Sequence, residues 1–186
     1  AAEVAAAIAF AAAYQNDRFA LVLVSDQVEH ILGPGSGRKH AFHLLADLLE
    51  HQPRSSRTDL TPALEWVRRS LHRRATVFLL SDFIHETDAP GFRGAVNRVA
   101  RHHDVVGIRV GSPAAERLPD VGWVELTDPE SGRRTVVNTG SRRARDRFRS
   151  QVQERRAEIA NVLTRAGAEI LDVSTATDPL LALGGF

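Results

Sequence analysis

Two aspartates stand where a parallel sheet would present chemistry. The pairs Ser25-Asp26 and Ser81-Asp82 directly follow the apolar runs LVLV and VFLL. In open parallel sheets, ligands bind beyond the carboxyl ends of the strands, so polar side chains there are the first candidates for a site. A carboxylate at such a position can hold a hard cation such as Mg²⁺, directly or through water. Alternatively, each aspartate caps the turn or helix that follows its strand.

Two other polar patterns predict ordinary structure. In the run 33–39 (GPGSGRK) an arginine separates the last glycine from the lysine, so the phosphate-loop spacing fails and a turn before a helix is expected. His40, His43, Asp47 and His51 recur at nearly helical spacing. They lack the H-E-x-x-H pattern of zinc proteases, which favours a solvated helix face.

A long basic helix is predicted over residues 141–165, which carry eight arginines against three acidic residues. Such a helix can bind RNA or an acidic partner surface. Its only aromatic residue is Phe148, and no RNA-binding motif surrounds it. A protein-partner surface or a solvated face is therefore favoured, and no nucleic-acid partner is expected.

No catalytic set emerges from the residue pattern. There is no G-x-S-x-G elbow, and no serine, histidine and acid can be placed together by spacing. The chain has no cysteine, which excludes thiol nucleophiles, thiolate zinc sites and iron–sulfur clusters. We therefore expect that the protein is not an enzyme.

Strands that alternate with helices indicate an α/β fold around a mainly parallel sheet flanked by helices. Continuous apolar runs predict parallel strands at 19–24, 76–80, 105–110 and 168–173. Residues 28–32 are expected to form one antiparallel edge strand, and 121–127 with 134–137 a β-hairpin insertion. Helical spacing is found at 1–14, 41–49, 60–73, 91–102 and 141–166, with a short final helix near 178.

Composition indicates one globular domain over residues 1–186. Apolar residues make up 43 % of the chain, and 24 basic residues nearly balance 23 acidic ones. The apolar run Val4–Ala13 has ten residues, well below the roughly 20 that a spanning helix needs. The chain has no methionine, even at position 1, so we expect it to be part of a longer or processed protein.

The run 57–64 (RTDLTPAL), followed by a helix and then 77–83 (VFLLSDF), resembles von Willebrand factor A domains. More narrowly, it resembles the bacterial DUF58 family. The resemblance extends over most of the chain through 101–106 (RHHDVV), 118–122 (LPDVG), 128–132 (DPESG), 141–143 (SRR) and 172–175 (DVST).

The resemblance implies a Rossmann-like fold with a metal-ion-dependent adhesion site built from three loops. By match, Thr58 is the second-loop ligand and Asp82 the third-loop ligand. The first-loop motif, D-x-S-x-S, is not found within residues 1–186, and Arg57 stands where the family usually has glycine. The resemblance thus implies Mg²⁺ or another divalent cation in the intact protein, and an incomplete site in this chain.

The family's first strand lies between its second and fourth strands. Without that strand, 19–24 and 76–80 are expected to have unpaired inner edges, so the domain is expected to be N-terminally incomplete. A longer natural protein or another chain would fill this position.

DUF58 proteins are thought to act as adaptors or co-chaperones beside MoxR-type AAA+ ATPases. The resemblance therefore implies a metal-dependent protein–protein interaction module in the cytoplasm, with such an ATPase or its client as partner. Two alternatives remain open: a phosphoryl-transfer or hydrolase enzyme that uses Asp82, and a nucleic-acid binder that uses the helix 141–165.

Overall fold

Helices pack on both faces of a three-stranded parallel sheet in the computed structural model, which describes residues 1–84, 91–127 and 132–176. The helices of this part of the chain are α1 (Ala2–Tyr14), α2 (Gly37–Glu50), α3 (Thr61–Ser70), α4 (Phe92–Ala100), α5 (Pro113–Glu116) and α6 (Arg142–Arg165). The strands are β1 (Arg18–Val24), β2 (Val28–Ser36), β3 (Thr76–Ser81), β4 (Asp104–Gly111), β5 (Trp123–Thr127), β6 (Arg134–Asn138) and β7 (Glu169–Ser174).

The parallel sheet has the order β3-β4-β7. Its central strand is buried from Val105 to Arg109, as expected for a strand covered on both faces. The mixed α/β class and the parallel strands predicted at 76–80, 105–110 and 168–173 are confirmed.

The first predicted strand does not join that sheet. Within the described residues, β1 pairs only with β2, and the pairing is antiparallel. The antiparallel edge strand predicted at 28–32 is confirmed, and the parallel orientation expected for 19–24 stays a prediction, because β1 pairs with no strand of the parallel sheet in this part of the chain. Both β1 and β3 keep one edge without a strand neighbour in the part of the chain that is described.

The glycine-rich run after residue 32 is also strand, where a turn was expected. Arg18 pairs with Ser36 and Phe19 with Gly35, so β2 continues to the start of α2. The imidazole of His40 lies where a side chain at residue 35 would stand, so glycine there lets the ring pack against the backbone. His40 Nε2 also hydrogen-bonds to the Phe19 carbonyl at 2.9 Å.

The two faces of the parallel sheet are covered by different helices. One face packs against α3, α4 and α6 through the largest apolar cluster, which includes Leu64, Val96 and Leu163. On the other face, Val4 of α1 packs with Val106, Ile108 and Val173. A third cluster joins α1 and α2 to the β1–β2 pair.

The predicted hairpin insertion is present as β5 and β6, which pair antiparallel from Trp123 with Asn138 to Thr127 with Arg134. Residues 128–131 of the connection expected at 128–132, and the final helix expected near 178, lie outside the described residues.

None of the helices in the described ranges combines the length and the apolar character needed to span a bilayer.

Gly107 provides a test of how closely α6 approaches the sheet. A Cβ at this position of β4 would lie 2.5 Å from Leu163 Cδ1, and Leu163 is fully buried. Gly107→Ala is therefore expected to lower the free energy of unfolding by about 1–3 kcal/mol through overpacking. The matched control is Gly33→Ala in β2, where a Cβ would meet nothing within 4 Å. Urea denaturation of both variants is the measurement, and equal midpoints would contradict the close approach.

Candidate functional site

Asp82 is exposed on a tight turn directly after β3. The Ile84 N–H donates to Asp82 Oδ1 at 3.1 Å, and the Phe83 N–H donates to Ser81 Oγ at 3.0 Å. Each side chain thus holds an N–H two residues ahead, an arrangement typical of Ser and Asp at turns. Within residues 1–84, 91–127 and 132–176, the second carboxylate oxygen of Asp82 has no hydrogen-bond partner.

Phe83 fixes the direction of this turn. Its φ is 56°, in the left-handed region, which is a conformational outlier for a bulky side chain. Its ring is 2 % exposed, within the same cluster as Leu60 and Phe92. Burial of the ring therefore holds a backbone conformation that an isolated chain would avoid, and Asp82 stays on the outside of the turn.

Thr58 lies half-buried in the loop between α2 and α3. The residue after it, Asp59, holds that loop at two points. Its N–H donates to the Ser25 carbonyl at 2.9 Å, and its Oδ1 accepts from the Thr61 N–H at 2.8 Å. The second bond satisfies a free donor in the first turn of α3. Asp59 therefore positions Thr58 between the end of β1 and the start of α3.

Contacts connect the segment around Thr58 to the end of β1 and to the start of α4. Ser25, at the end of β1, binds the Thr58 loop through Asp59. The Thr61 methyl carbon lies 3.8 Å from the position of a Cβ on Gly91, which precedes α4 after the β3 turn. Thr58 and the strand-end residue Asp26 thus lie on neighbouring loops, and Phe83, which follows Asp82, lies in the same buried cluster as Leu60, which follows the Thr58 loop.

The donors on these loops fit a hard cation in chemistry but not in number. Thr58 and Asp82 supply oxygen ligands, which Mg²⁺ and Ca²⁺ prefer. Among the described residues, no group of three or more His, Asp and Glu side chains is placed to hold a metal ion. Two oxygens leave most of an octahedral shell to other groups.

A buried carboxylate that the sequence analysis missed anchors the Thr58 loop. The Glu29 side chain is 1 % exposed. It accepts from Ser25 Oγ at 2.5 Å and from the Arg54 N–H at 2.9 Å, and its other oxygen lies 2.6 Å from His51 Nε2. Glu29 thus ties together the end of β1, the end of α2 and the loop that leads to Thr58.

These donors favour the ionised form of Glu29. Its pKa is lowered from 4.5 to about 2, chiefly by the Ser25 hydroxyl and further by the Arg54 N–H and His51, while burial opposes the change. The carboxylate therefore stays charged although its side chain is covered.

The predicted solvated face is only partly solvated. His43 of α2 is exposed, as expected. His51, which follows α2, contacts Glu29, and Asp47 Oδ2 lies 2.8 Å from His30 Nε2. A usable signal was the strand 28–32 (VEHIL), in which two polar residues interrupt an otherwise apolar run. Such residues need partners when they are covered.

An ion pair joins two strands of the parallel sheet near their carboxyl ends. The guanidinium of Arg109, which is buried near the end of β4, donates to both carboxylate oxygens of Asp172 at 2.5 and 2.7 Å. Arg109 is the register partner of Ser81 on one side and of Asp172 on the other. It therefore braces the strand ends beside the Asp82 turn.

Glu29→Gln is expected to loosen the Thr58 loop and to weaken the fold in a pH-dependent way. A carboxylate whose pKa is lowered from 4.5 to about 2 stabilises the folded state above about pH 4.5, and this contribution is lost as the pH falls towards 2. The variant should have a lower free energy of unfolding at neutral pH, and the difference from wild type should shrink on acidification. Urea unfolding against pH measures it, and amide exchange of residues 54–59 reports the loop. Glu50→Gln, an exposed position at the end of α2, is the control, and identical pH profiles for Glu29→Gln and wild type would refute the anchor.

The curated relatives are mycobacterial. An uncharacterized protein of Mycobacterium tuberculosis is 30 % identical over 178 residues, which cover 94 % of this chain and 54 % of the relative. The chain therefore spans about half the length of that relative. An uncharacterized protein of Mycobacterium avium is 30 % identical over 148 residues, with 78 % of this chain and 85 % of the relative covered.

Two solved structures share the fold. One is a conserved hypothetical protein, BatB, from Bacteroides thetaiotaomicron, with a TM-score of 0.58 and 14 % identity over 98 % of this chain and 82 % of that one. The other is an aerotolerance-related membrane protein from Bacteroides fragilis, with a TM-score of 0.60 and 12 % identity over 98 % and 83 % of the two chains. At these identities the likeness concerns the fold alone.

The family model described as protein of unknown function DUF58 matches residues 1–158. This match covers most of the chain, including the loops of Thr58 and Asp82. With the shared strand–turn–helix order and the mycobacterial relatives, it shows that the chain belongs to the DUF58 family.

Proposed function

We propose that this chain is a protein–protein interaction module of the von Willebrand factor A type. Its contact with a partner protein would depend on a divalent cation bound by Thr58 and Asp82. In this proposal it acts as an adaptor or co-chaperone for a MoxR-type AAA+ ATPase or its client. Such a partner works in the cytoplasm, and the module would lie there with it.

The proposal includes a Rossmann-like fold of the von Willebrand factor A type. In the described residues, β1 and β3 each have an unpaired edge, yet Val24 at the end of β1 packs against the cluster that covers β3. One strand between them would pair both edges and turn the two small sheets into one. A D-x-S-x-S segment that followed such a strand would lie beside Thr58 and Asp82.

The observation that supports the proposal is that each of these two residues lies on a loop with a rigid support. Phe83 holds the Asp82 turn through its buried ring, and Asp59 holds the Thr58 loop through two hydrogen bonds. Function-bearing residues are commonly presented by loops on such a scaffold.

The cation, when bound, would offer an open coordination position to an oxygen ligand of the partner. Residues of this chain would then select the carboxylate of the partner. Thr58 and Asp82 hold the ion at one edge of the sheet, and the surrounding surface decides which carboxylate can approach. The contact would be switchable, because partner binding and cation binding favour the same state.

The chain as it stands is expected to bind Mg²⁺ weakly, because two of its oxygens leave most of the shell to water. Isothermal titration calorimetry of residues 1–186 measures this. A form extended by a D-x-S-x-S strand should bind Mg²⁺ well, and Asp82→Ala in that form should abolish binding. Tight Mg²⁺ binding by residues 1–186 alone would contradict the proposal that the D-x-S-x-S segment supplies the other metal ligands.

In the extended form, Asp82→Asn is expected to weaken capture of an immobilised MoxR-type ATPase by about tenfold or more in Mg²⁺ buffer, since even changes around metal ligands cost that much. Asparagine keeps an oxygen for the Ile84 N–H, so the melting temperature should barely change. Asp17→Asn, an exposed carboxylate at the opposite end of β1, is the control. Equal capture by wild type and Asp82→Asn would refute the cation switch.

A further inference from the structure

The first half of α6 extends beyond the parallel sheet. Leu163 packs at Gly107 in the middle of β4, and the Arg156 guanidinium lies beside Gly111, the last residue of that strand. The helix therefore runs antiparallel to β4, and residues 142–155 continue past its carboxyl end. At about 1.5 Å per residue they span about 21 Å. The buried residues of α6 are all in its second half: Ile159, Val162 and Leu163.

The β5–β6 hairpin is fastened to the start of this extension. Thr139, which follows β6, is fully buried, and its hydroxyl donates to the Gly122 carbonyl at 2.8 Å. Arg145 Nη1 donates to the Thr139 carbonyl at 2.6 Å and pairs with Asp120 at 3.1 Å. We call β5, β6 and residues 142–155 of α6 the arm. The hydrogen bonds of Thr139 and Arg145 hold the base of the arm, which extends from the carboxyl ends of the strands, where Asp82 also lies.

The hairpin of the arm presents uncovered apolar side chains. Trp123 is 73 % exposed, Val136 64 % and Val121 63 %. Trp123 is the register partner of Asn138, which places it diagonally across from Val136 on one face of the hairpin. Diagonal neighbours are within reach of an aromatic side chain. A two-stranded hairpin is marginal by itself in water, so an exposed face of this kind marks an interaction surface.

The helical part of the arm is basic. Residues 142–149 carry five arginines and one aspartate, and the Arg142 side chain is 90 % exposed. Tryptophan and arginine are the residues most enriched in the energetic centres of protein interfaces. The excess of arginine selects a partner that is acidic.

One residue on the apolar face discriminates between classes of partner. Glu125 is the register partner of Val136 and therefore shares the face with Trp123. Burying that face in lipid would take a carboxylate out of water, and an RNA phosphate would be repelled by it. A protein surface can supply a donor to Glu125, which already lies 3.7 Å from Arg134.

From these observations we propose that the arm is a docking surface for an acidic protein segment with an apolar centre. The contact is separate from the cation site and needs no metal. It therefore goes beyond the proposed function and can be tested with the cation removed.

The probe is a set of short random peptides displayed on phage and selected against residues 1–186 in EDTA. Selected peptides should be enriched in Asp and Glu around aliphatic or aromatic residues. Trp123→Ser should weaken their binding by about tenfold or more, as for a residue at an interface centre. Val136→Thr should weaken peptide binding less than Trp123→Ser does. Because threonine is also β-branched and suits a strand, this variant tests the same face without unfolding the hairpin. Tyr14→Ser removes an aromatic side chain that is 92 % exposed outside the arm, and it should bind as wild type does.

The charge requirement is tested with the triple variant Arg142→Gln, Arg143→Gln and Arg147→Gln. It should lose affinity at low salt, and the loss should fade as salt rises, because exposed charges are screened. The triple variant Arg69→Gln, Arg73→Gln and Arg101→Gln changes exposed arginines elsewhere and is the control.

Four results would overturn the proposal, and the first three do not involve the cation site. The first is a peptide selection without acidic enrichment, and the second is unchanged binding by Trp123→Ser. The third is binding of the protein to phosphatidylglycerol vesicles but not to phosphatidylcholine vesicles, if Trp123→Ser abolishes that binding. This result would assign the arm to a lipid surface. Peptide binding that requires Mg²⁺ and is lost in Asp82→Asn would likewise refute the arm while supporting the cation site, so the two proposals fail separately.

Discussion

Six consecutive residues of β3 pair in parallel with β4, from Thr76 with Asp104 to Ser81 with Arg109. Parallel strands require a crossover between them, so the turn that carries Asp82 must leave the sheet at its carboxyl edge and return through α4. The same pairing orients β7, and the turn before β7 forces α6 to run back along β4. The register of β3 and β4 therefore places three features at the carboxyl ends of the strands: the Asp82 turn, the Arg109–Asp172 ion pair and the arm.

Much of this arrangement could be predicted from residue patterns. The runs TVFLL and VVGIRV are apolar throughout, which is typical of strands covered on both faces, and their order with intervening helices defines the α/β class. Asp82 follows from the same reasoning, since a polar residue directly after such a strand lies at the carboxyl edge. Thr58 was identified only through the family resemblance, because no local periodicity distinguishes it from other loop threonines.

Other features depend on contacts that no local pattern encodes. Glu29 is 25 residues from Arg54 and 22 from His51 in sequence, and the packing of α2 back against the β1–β2 pair brings them together. The separate β1–β2 sheet is a similar case. The run FALVLV is as apolar as a central parallel strand, but a strand needs a neighbour with a free edge, and the composition of one strand does not show whether that neighbour is present. Phe83 was missed because its left-handed backbone is imposed by burial of its ring rather than by residue type.

The two proposed contacts rely on different physics, and this difference gives them different roles. Oxygen ligation of a hard cation acts only over bonding distance, so a contact at Thr58 and Asp82 would discriminate by geometry and would end when the cation leaves. The arginines of the arm act over roughly a Debye length, about 8 Å at physiological salt, so they would raise the rate of encounter with an acidic partner more than the lifetime of the complex. Trp123 supplies apolar area that salt does not screen, and it would slow dissociation once the partner is seated. Because the arm rises from the same edge as Asp82, one acidic partner of moderate size can contact both. The arm would then hold it while the cation site selects among its carboxylates.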